Sequence, residues 1–185
     1  MDALIAAKLR NRFTLFDRDG DGRITKADYD HLAERLAGAA GQVPGSPAAE
    51  KLCAEYEAGW ARMSAHFGRG TDAELDEEEF VTAWYALSHA PGGFGRTILP
   101  IVDEIIDAMD TDGDRHLQPA EFTDWLAAYG IPGDAAANAF TRLDRDGDGR
   151  ISRDELARAF EEYFTGTDRD LPGNWLYGPL PHFPH

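Results

Sequence analysis

Two stretches of the chain set aspartates at every second position and close on a further acid: "FDRDGDGRITKADY", residues 16–29, and "LDRDGDGRISRDEL", residues 143–156. Carboxylates this close repel one another. Such a segment is either a solvated turn or the cradle of a cation that the covalent chain does not supply. A third stretch, "MDTDGDRHLQPAEF", residues 109–122, repeats the spacing with Arg115 where the others have glycine. Three copies argue for a repeated unit built around a missing positive charge.

The flanking residues carry the same period. Apolar side chains at helical spacing lead into each acidic stretch: Leu9, Phe13 and Phe16; Ile101, Ile105 and Met109; Phe140 and Leu143. A second helical pattern leaves each one, through Tyr29, Leu32 and Leu36, through Phe122, Trp125, Leu126 and Tyr129, and through Leu156, Phe160, Tyr163 and Phe164. The unit is helix, acidic loop, helix. A fourth copy runs through "GRGTDAELDEEEF", residues 68–80, behind a helical pattern containing Tyr56, Trp60 and Met63 and ahead of Phe80, Trp84 and Leu87. Gly68 and Gly70 stand there in place of aspartates, and Ala73 in place of the turn glycine. Leu75 still aligns with Ile24, Leu117 and Ile151 at the eighth loop position, where an apolar residue would join two loops in a short antiparallel bridge.

Breaks at "GAAGQVPGSPA", residues 38–48, "APGGFG", residues 90–95, and "GIPGD", residues 130–134, separate the units. The expected fold is all-α, with four helix-loop-helix units making eight helices in two paired lobes and negligible strand. The expected divisions are an N-terminal pair at 1–90, a C-terminal pair at 95–165 and an aromatic, proline-bearing tail at 166–185.

A twelve-residue loop encloses a calcium-sized dication with side-chain oxygens at positions 1, 3, 5 and 12, a backbone carbonyl at 7 and often water at 9. The first loop offers Asp17, Asp19, Asp21, the Arg23 carbonyl and Asp28; the last offers Asp144, Asp146, Asp148, the Arg150 carbonyl and Glu155. Gly22 and Gly149 occupy position 6, where the sharp turn needs a positive φ. The loop at 110–121 offers Asp110, Asp112, Asp114, the His116 carbonyl and Glu121. Its Arg115 must accept a left-handed conformation, at a cost on the order of 1 kcal/mol, small beside the attraction of four carboxylates for a dication. The His116 side chain lacks a second His or Cys at ligand spacing, which argues against a transition metal. Asp28 is one methylene shorter than glutamate and favours six-coordinate geometry, so Mg²⁺ is admitted at the first site beside Ca²⁺.

On these residues the chain resembles the EF-hand superfamily over nearly its whole length. Active loops one, three and four around a silent second are similar to calerythrin and the sarcoplasmic calcium-binding proteins, and to the calcium-regulated photoproteins. The tail segment "PGNWLYG", residues 172–178, resembles the segment after the last helix in the first of these groups. The resemblance implies a compact four-hand fold used for Ca²⁺ binding and buffering.

Charge and composition agree. The formal net charge is -16, which argues against nucleic acid and anionic membrane as partners and suits cations. Cys53 is the single cysteine, so no intramolecular disulfide forms, in keeping with a reducing compartment. The start "MDALIAAKLRNRF" lacks a basic segment followed by a long apolar one, and Asp2 stands where myristoylation needs glycine. A cytoplasmic monomer is expected, with its protein partner left open.

The residues outside the loops bear on use. A calcium sensor exposes an adaptable, Met-rich groove, whereas this chain has three methionines and packs Trp, Phe, Tyr, Ile and Leu instead. A buffer is favoured, with a sensor and a photoprotein-type small-molecule carrier as alternatives. Trp84, Tyr85, Trp125 and Tyr129 lie where a carrier's cavity would be, but an aromatic stripe at helical spacing is ordinarily core. No catalytic constellation is present, and no enzymatic activity is expected. The tail, with four prolines and with Leu171, Trp175, Leu176, Tyr177, Leu180 and Phe183, is too apolar to stay in water. Trp175 and its neighbours are expected to dock across the lobes, with His182 and His185 fraying.

Overall fold

The computed structural model describes residues 1–180. The helices are α1 (Ala3–Phe16), α2 (Lys26–Ala39), α3 (Pro47–His66), α4 (Glu77–His89), α5 (Leu99–Met109), α6 (Pro119–Ala128), α7 (Gly133–Leu143) and α8 (Arg153–Thr165). A π-helical turn, Phe94–Ile98, leads into α5, and a 3₁₀ turn, Pro172–Trp175, follows α8. Strand is confined, among the described residues, to β1 (His116–Leu117) and β2 (Ile151–Ser152). Among the described residues the architecture is all-α, with eight α-helices.

Local chemistry sets the helix starts. Asp2 accepts the Leu4 N–H at 2.8 Å and caps α1. Ser46 caps α3, and Pro47 takes its first turn, where a missing N–H costs nothing. The break at 38–48 is therefore shorter than its composition suggests, because Pro47 and Ala48 are helical. Asp76, Gln118 and Ser152 each form reciprocal capping boxes with the residue three positions on, at the starts of α4, α6 and α8.

The loops meet in pairs. Ile24 and Leu75 form an antiparallel bridge, exchanging N–H to O bonds of 2.8 and 2.9 Å. β1 and β2 pair antiparallel with Leu117 opposite Ile151. All four of these residues are completely buried, so each bridge is also the floor beneath two loops.

One core runs through both halves. Phe13 and Phe16 of α1 meet Phe80 of α4 at ring separations of 5.6 and 5.8 Å. Trp84 of α4 lies 5.3 Å from Phe164 of α8, and Phe16 lies 6.3 Å from Tyr129 at the end of α6. The hydroxyls of Tyr56 and Tyr129 sit 3.2 Å apart. Aromatic pairs of this kind add specificity beyond their buried area.

The tail docks on α7 and α8. Leu176, Tyr177 and Leu180 are buried, and Tyr177 lies at the centre, its ring within 5.2 to 6.3 Å of Trp125, Tyr129, Phe160 and Tyr163. The docked segment spans the halves through Tyr177, a neighbour of Trp175, whereas Trp175 itself stays half-buried against α7, with the Arg142 guanidinium 4.0 Å above its ring. Gly173 is required by close approach, since a Cβ there would lie 2.5 Å from both Ala159 O and Glu162 Cβ. Phe183 and the expected fraying of His182 and His185 lie outside the described residues.

Two buried cations in α1 receive the tail. Lys8 Nζ donates to Glu162 O at 2.8 Å, Gly166 O at 2.7 Å and Asn174 Oδ1 at 3.0 Å, which ties the end of α8 and the tail to α1. Burial lowers the Lys8 pKa to about 8, although the charges of Asp2 and Glu162 pull it upward. Arg12 Nη1 donates to the Tyr177 hydroxyl at 2.6 Å, and its guanidinium faces Phe16, Trp84 and Phe164 at 4.5 to 5.4 Å.

Candidate metal centres

Each acidic loop hangs between the last residue of one helix and the first turn of the next, so the capping hydrogen bonds of the second helix also shape the loop. In the first, the oxygens of Asp17, Asp19 and Asp21 lie within 4.8 Å of one another. Gly22 N–H donates to Asp17 Oδ2 at 3.0 Å and Arg23 N–H to Asp21 Oδ1 at 2.7 Å, which wraps the backbone around the carboxylates. Asp28 stands apart from this group. Its Oδ2 accepts from the Thr25 N–H at 2.9 Å and the Thr25 hydroxyl at 2.8 Å, closing the start of α2 but reaching no further back.

The third and fourth loops close differently. Oxygens of Asp110, Asp112 and Glu121 cluster within 4.8 Å, as do those of Asp144, Asp146 and Glu155. Glu121 Oε1 accepts from the Thr111 N–H at 2.7 Å while Oε2 accepts from the Gln118 N–H at 3.0 Å. Glu155 repeats this with Arg145 N–H at 2.8 Å and Ser152 N–H at 2.9 Å. One methylene lets the position-12 carboxylate bridge loop positions 2 and 9. Burial raises the Glu155 pKa, but the N–H donors of Ser152 and Arg145 outweigh it and hold the carboxyl below its ordinary value, as an anion.

Asp114 and Asp148 fall outside the clusters. Each accepts the N–H of the residue two positions on, His116 at 2.8 Å and Arg150 at 2.9 Å, and the Arg150 guanidinium lies between them at 3.4 and 3.2 Å. The position-7 residues Arg23, His116 and Arg150 border the bridging residues, and His116 joins none of the clusters; its Nδ1 lies 2.8 Å from Asp114 O. Arg115 has φ 64°, the left-handed conformation that the loop demands of this position, and no other described non-glycine residue has a positive φ.

The donor set suits a hard dication: all oxygen, negatively charged, and gathered without a competing nitrogen or sulfur ligand. Sequence reasoning overlooked one contributor to the loop geometry. In the second loop Arg69 folds over the retained acid, its two terminal nitrogens meeting both Glu79 oxygens. The signal was available in the survival of Glu79 at position 12 of a loop that had lost its first two aspartates.

Residues 9–32 match the EF hand family model and residues 135–166 match an EF-hand domain model. Calerythrin of Saccharopolyspora erythraea is 30% identical over 166 residues, spanning 89% of this chain and 94% of that protein. A calcium-binding protein of Streptomyces coelicolor superposes with a TM-score of 0.72 at 33% identity, covering 87% of this chain and 98% of its own. The coelenterazine-binding protein of Renilla muelleri superposes with a TM-score of 0.71 at 26% identity, covering 97% and 100%. With three oxygen cradles on paired helix-loop-helix units and relatives of this kind along nearly its entire length, the chain belongs to the EF-hand family of calcium-binding proteins, as a calerythrin-like member.

Proposed function

We propose that the protein is a calcium buffer that holds three ions, in loops 17–28, 110–121 and 144–155. Asp17, Asp19, Asp21 and Asp28 would ligate the first, with the Arg23 carbonyl. Asp110, Asp112, Asp114, Glu121 and the His116 carbonyl would ligate the second, and Asp144, Asp146, Asp148, Glu155 and the Arg150 carbonyl the third. Mg²⁺ competes at the first. The organisation proposed is a pair of hands at 1–90, a pair at 95–165 and a tail at 166–185, acting as a cytoplasmic monomer.

The observation that carries the buffer reading is the closed interior. Among the described residues, Met1 and Val43 are the exposed large hydrophobics, two single side chains rather than a broad apolar face. The apolar faces that a sensor would open are here spent on aromatic contacts between the halves and on the docked tail. Each bound ion also cancels repulsion within its loop, and three would bring the net charge from -16 to about -10. Binding energy then adds to folding stability.

A second reading, a small-molecule carrier, is favoured by Arg12, Tyr29 and Trp84, whose buried polar atoms line a cavity bounded by α1, α2, α3, α4 and α5, with Arg12 Nε left without a hydrogen-bond partner. The cavity's free volume of about 40 Å³ admits a water or two rather than a drug-sized ligand. Titration calorimetry with calcium in the presence of Mg²⁺, run beside uptake of an apolar fluorophore, separates the readings. Tight binding at three sites without dye uptake supports the buffer. Dye uptake upon calcium binding supports a sensor, and dye uptake that calcium leaves unchanged supports a carrier.

A further inference from the structure

The second loop keeps acids at its fifth and twelfth positions, Asp72 and Glu79, but has glycine at its first and third, so Glu79 lacks the ligand set of the other loops. Arg69, at position 2, takes up the slack. Its Nη1 donates to the Glu74 carbonyl at 3.0 Å and to Glu79 Oε2 at 3.1 Å, and its Nη2 donates to Glu79 Oε1. Glu74 and Glu79 are positions 7 and 12, whose carbonyl and carboxylate would have gone to a metal in an active loop. Loops three and four join position 12 to position 2 through the backbone N–H of Thr111 or Arg145; loop two joins the same two positions through a side chain.

Around this pair the loop is complete. Glu79 Oε2 accepts the Asp76 N–H at 3.2 Å, Asp76 Oδ1 accepts the Glu79 N–H at 2.9 Å, and the Trp60 indole donates to Thr71 O at 2.8 Å. Leu75, between Glu74 and Asp76, is the residue bridged to Ile24 of the first loop, and Arg23 lies 3.8 Å from Asp76.

We propose that Arg69 is an internal counterion that takes the place of the divalent ion in the silent hand, keeps that loop closed at every calcium concentration, and through the Leu75–Ile24 bridge holds the first loop in register for its ion. A guanidinium suits the place because its planar fork meets both oxygens of one carboxylate while a further N–H reaches a carbonyl. Its single charge matches the single charge of the Glu79 carboxylate that it grips, while Asp72 at position 5 is left as the one acid among positions 1, 3 and 5. The pair is partly exposed, and its direct contribution to global stability is small. Its effect is on order: a loop already in its binding geometry binds with the full intrinsic affinity, and one populated only in part loses affinity by that fraction. Arg69 is thus a positioning residue for the first site, and this part rests on the reading that loop 17–28 binds calcium.

The test uses the full chain with Arg69→Met, which keeps the stem and removes the fork, and Arg69→Lys, which keeps the charge. In chelator, amide exchange at Ile24 and Leu75 should quicken about tenfold in Arg69→Met, less in Arg69→Lys, and stay unchanged at Leu117 and Ile151 of the other bridge. Unchanged exchange at Ile24 and Leu75, or equal acceleration at both bridges, overturns the proposal. A Glu121→Gln, Glu155→Gln background isolates the first site for calorimetry, where Arg69→Met should weaken calcium binding by about the same tenfold. Equal affinity with and without Arg69 overturns the coupling to the first loop. A background that binds no calcium with Arg69 intact overturns instead the assignment of loop 17–28, and the exchange result then decides Arg69 alone.

Discussion

The N-terminal and C-terminal pairs of loops are built on one plan and closed by different devices. In the C-terminal pair both loops end in glutamates that bridge back to position 2, and two-residue strands join them. In the N-terminal pair one loop ends in an aspartate that reaches only position 9, the other is occupied by a guanidinium, and a single bridge joins them. Every loop of the fold is shut, and the second is shut by a side chain of its own. A carboxylate held by backbone N–H groups, or by an arginine from its own loop, closes the turn in either case, and the silent loop differs from the other three in lacking carboxylates at positions 1 and 3.

The largest test of this contrast is Glu155→Gln. It removes a charge and a bidentate anchor together, and calcium affinity at the fourth loop should fall about a hundredfold. Calorimetry should lose one of three binding events while the helices remain. Retention of all three events at unchanged affinity would show that the glutamate closure belongs to the fold and not to the ion.

Next in size is the link between the pairs. Lys8→Met leaves Glu162 O, Gly166 O and Asn174 Oδ1 without their shared donor and should cost about 2 kcal/mol at neutral pH. The pH dependence identifies the cause. Lys8 in the folded chain releases its proton near pH 8, whereas the unfolded chain holds it to about 10.5. Between those values the unfolded state binds more protons, so through this group stability rises with pH. Above pH 10 the buried tyrosines oppose it: Tyr29, Tyr56, Tyr163 and Tyr177 are raised by burial, and the stability they contribute is lost as the pH climbs past their unfolded value. Melting at saturating calcium should rise between pH 8 and 9.5 in the wild type relative to Lys8→Met. Parallel profiles would remove Lys8 as the titrating group.

Much of this organisation was legible in the sequence. The loop spacing, the apolar phase of each helix, the bridging role of Ile24, Leu75, Leu117 and Ile151, and the conformation forced on Arg115 all follow from local periodicity, and each appears in the structure. The parts that did not follow are contacts set by distance in space. Lys8 and Arg12 lie on the buried stripe of α1 with Ile5, Leu9 and Phe16, but a hydrophobic pattern gives charged residues no weight. In the tail no period ranks one aromatic above another, and Tyr177 exceeds Trp175 because Arg12 and four rings converge on its position. Arg69 escaped because a missing ligand reads as a loss until the side chain that replaces it is seen.

A smaller effect tests whether the first loop differs from the others by more than one methylene. Asp28→Glu should extend the carboxylate toward position 2, as in Thr111 and Arg145, and raise the preference of that loop for Ca²⁺ over Mg²⁺ about tenfold. Competition titrations of the two metals in wild type and variant would measure it. Equal selectivity in both would locate the contrast in the loop backbone and not in the side chain.

Arg115→Gly gives the smallest shift and separates two ways in which the third loop bears its strain. The left-handed conformation at φ 64° costs arginine on the order of 1 kcal/mol over glycine, offset in part because glycine has more freedom to lose on folding. Suppose the metal-free loop relaxes out of this conformation. Calcium then reimposes it on every binding event, and glycine should tighten the site by up to about fivefold with little change in the melting of the metal-free protein. If the hydrogen bond from the Arg115 N–H to Asp110 Oδ2, 2.8 Å long, keeps the loop in place without metal, the strain is present throughout. Glycine would then raise the metal-free melting temperature and leave the affinity alone. The first outcome follows if loops three and four depend on their ions for closure. The second would make the glutamate-closed pair as self-sufficient as the arginine-closed hand.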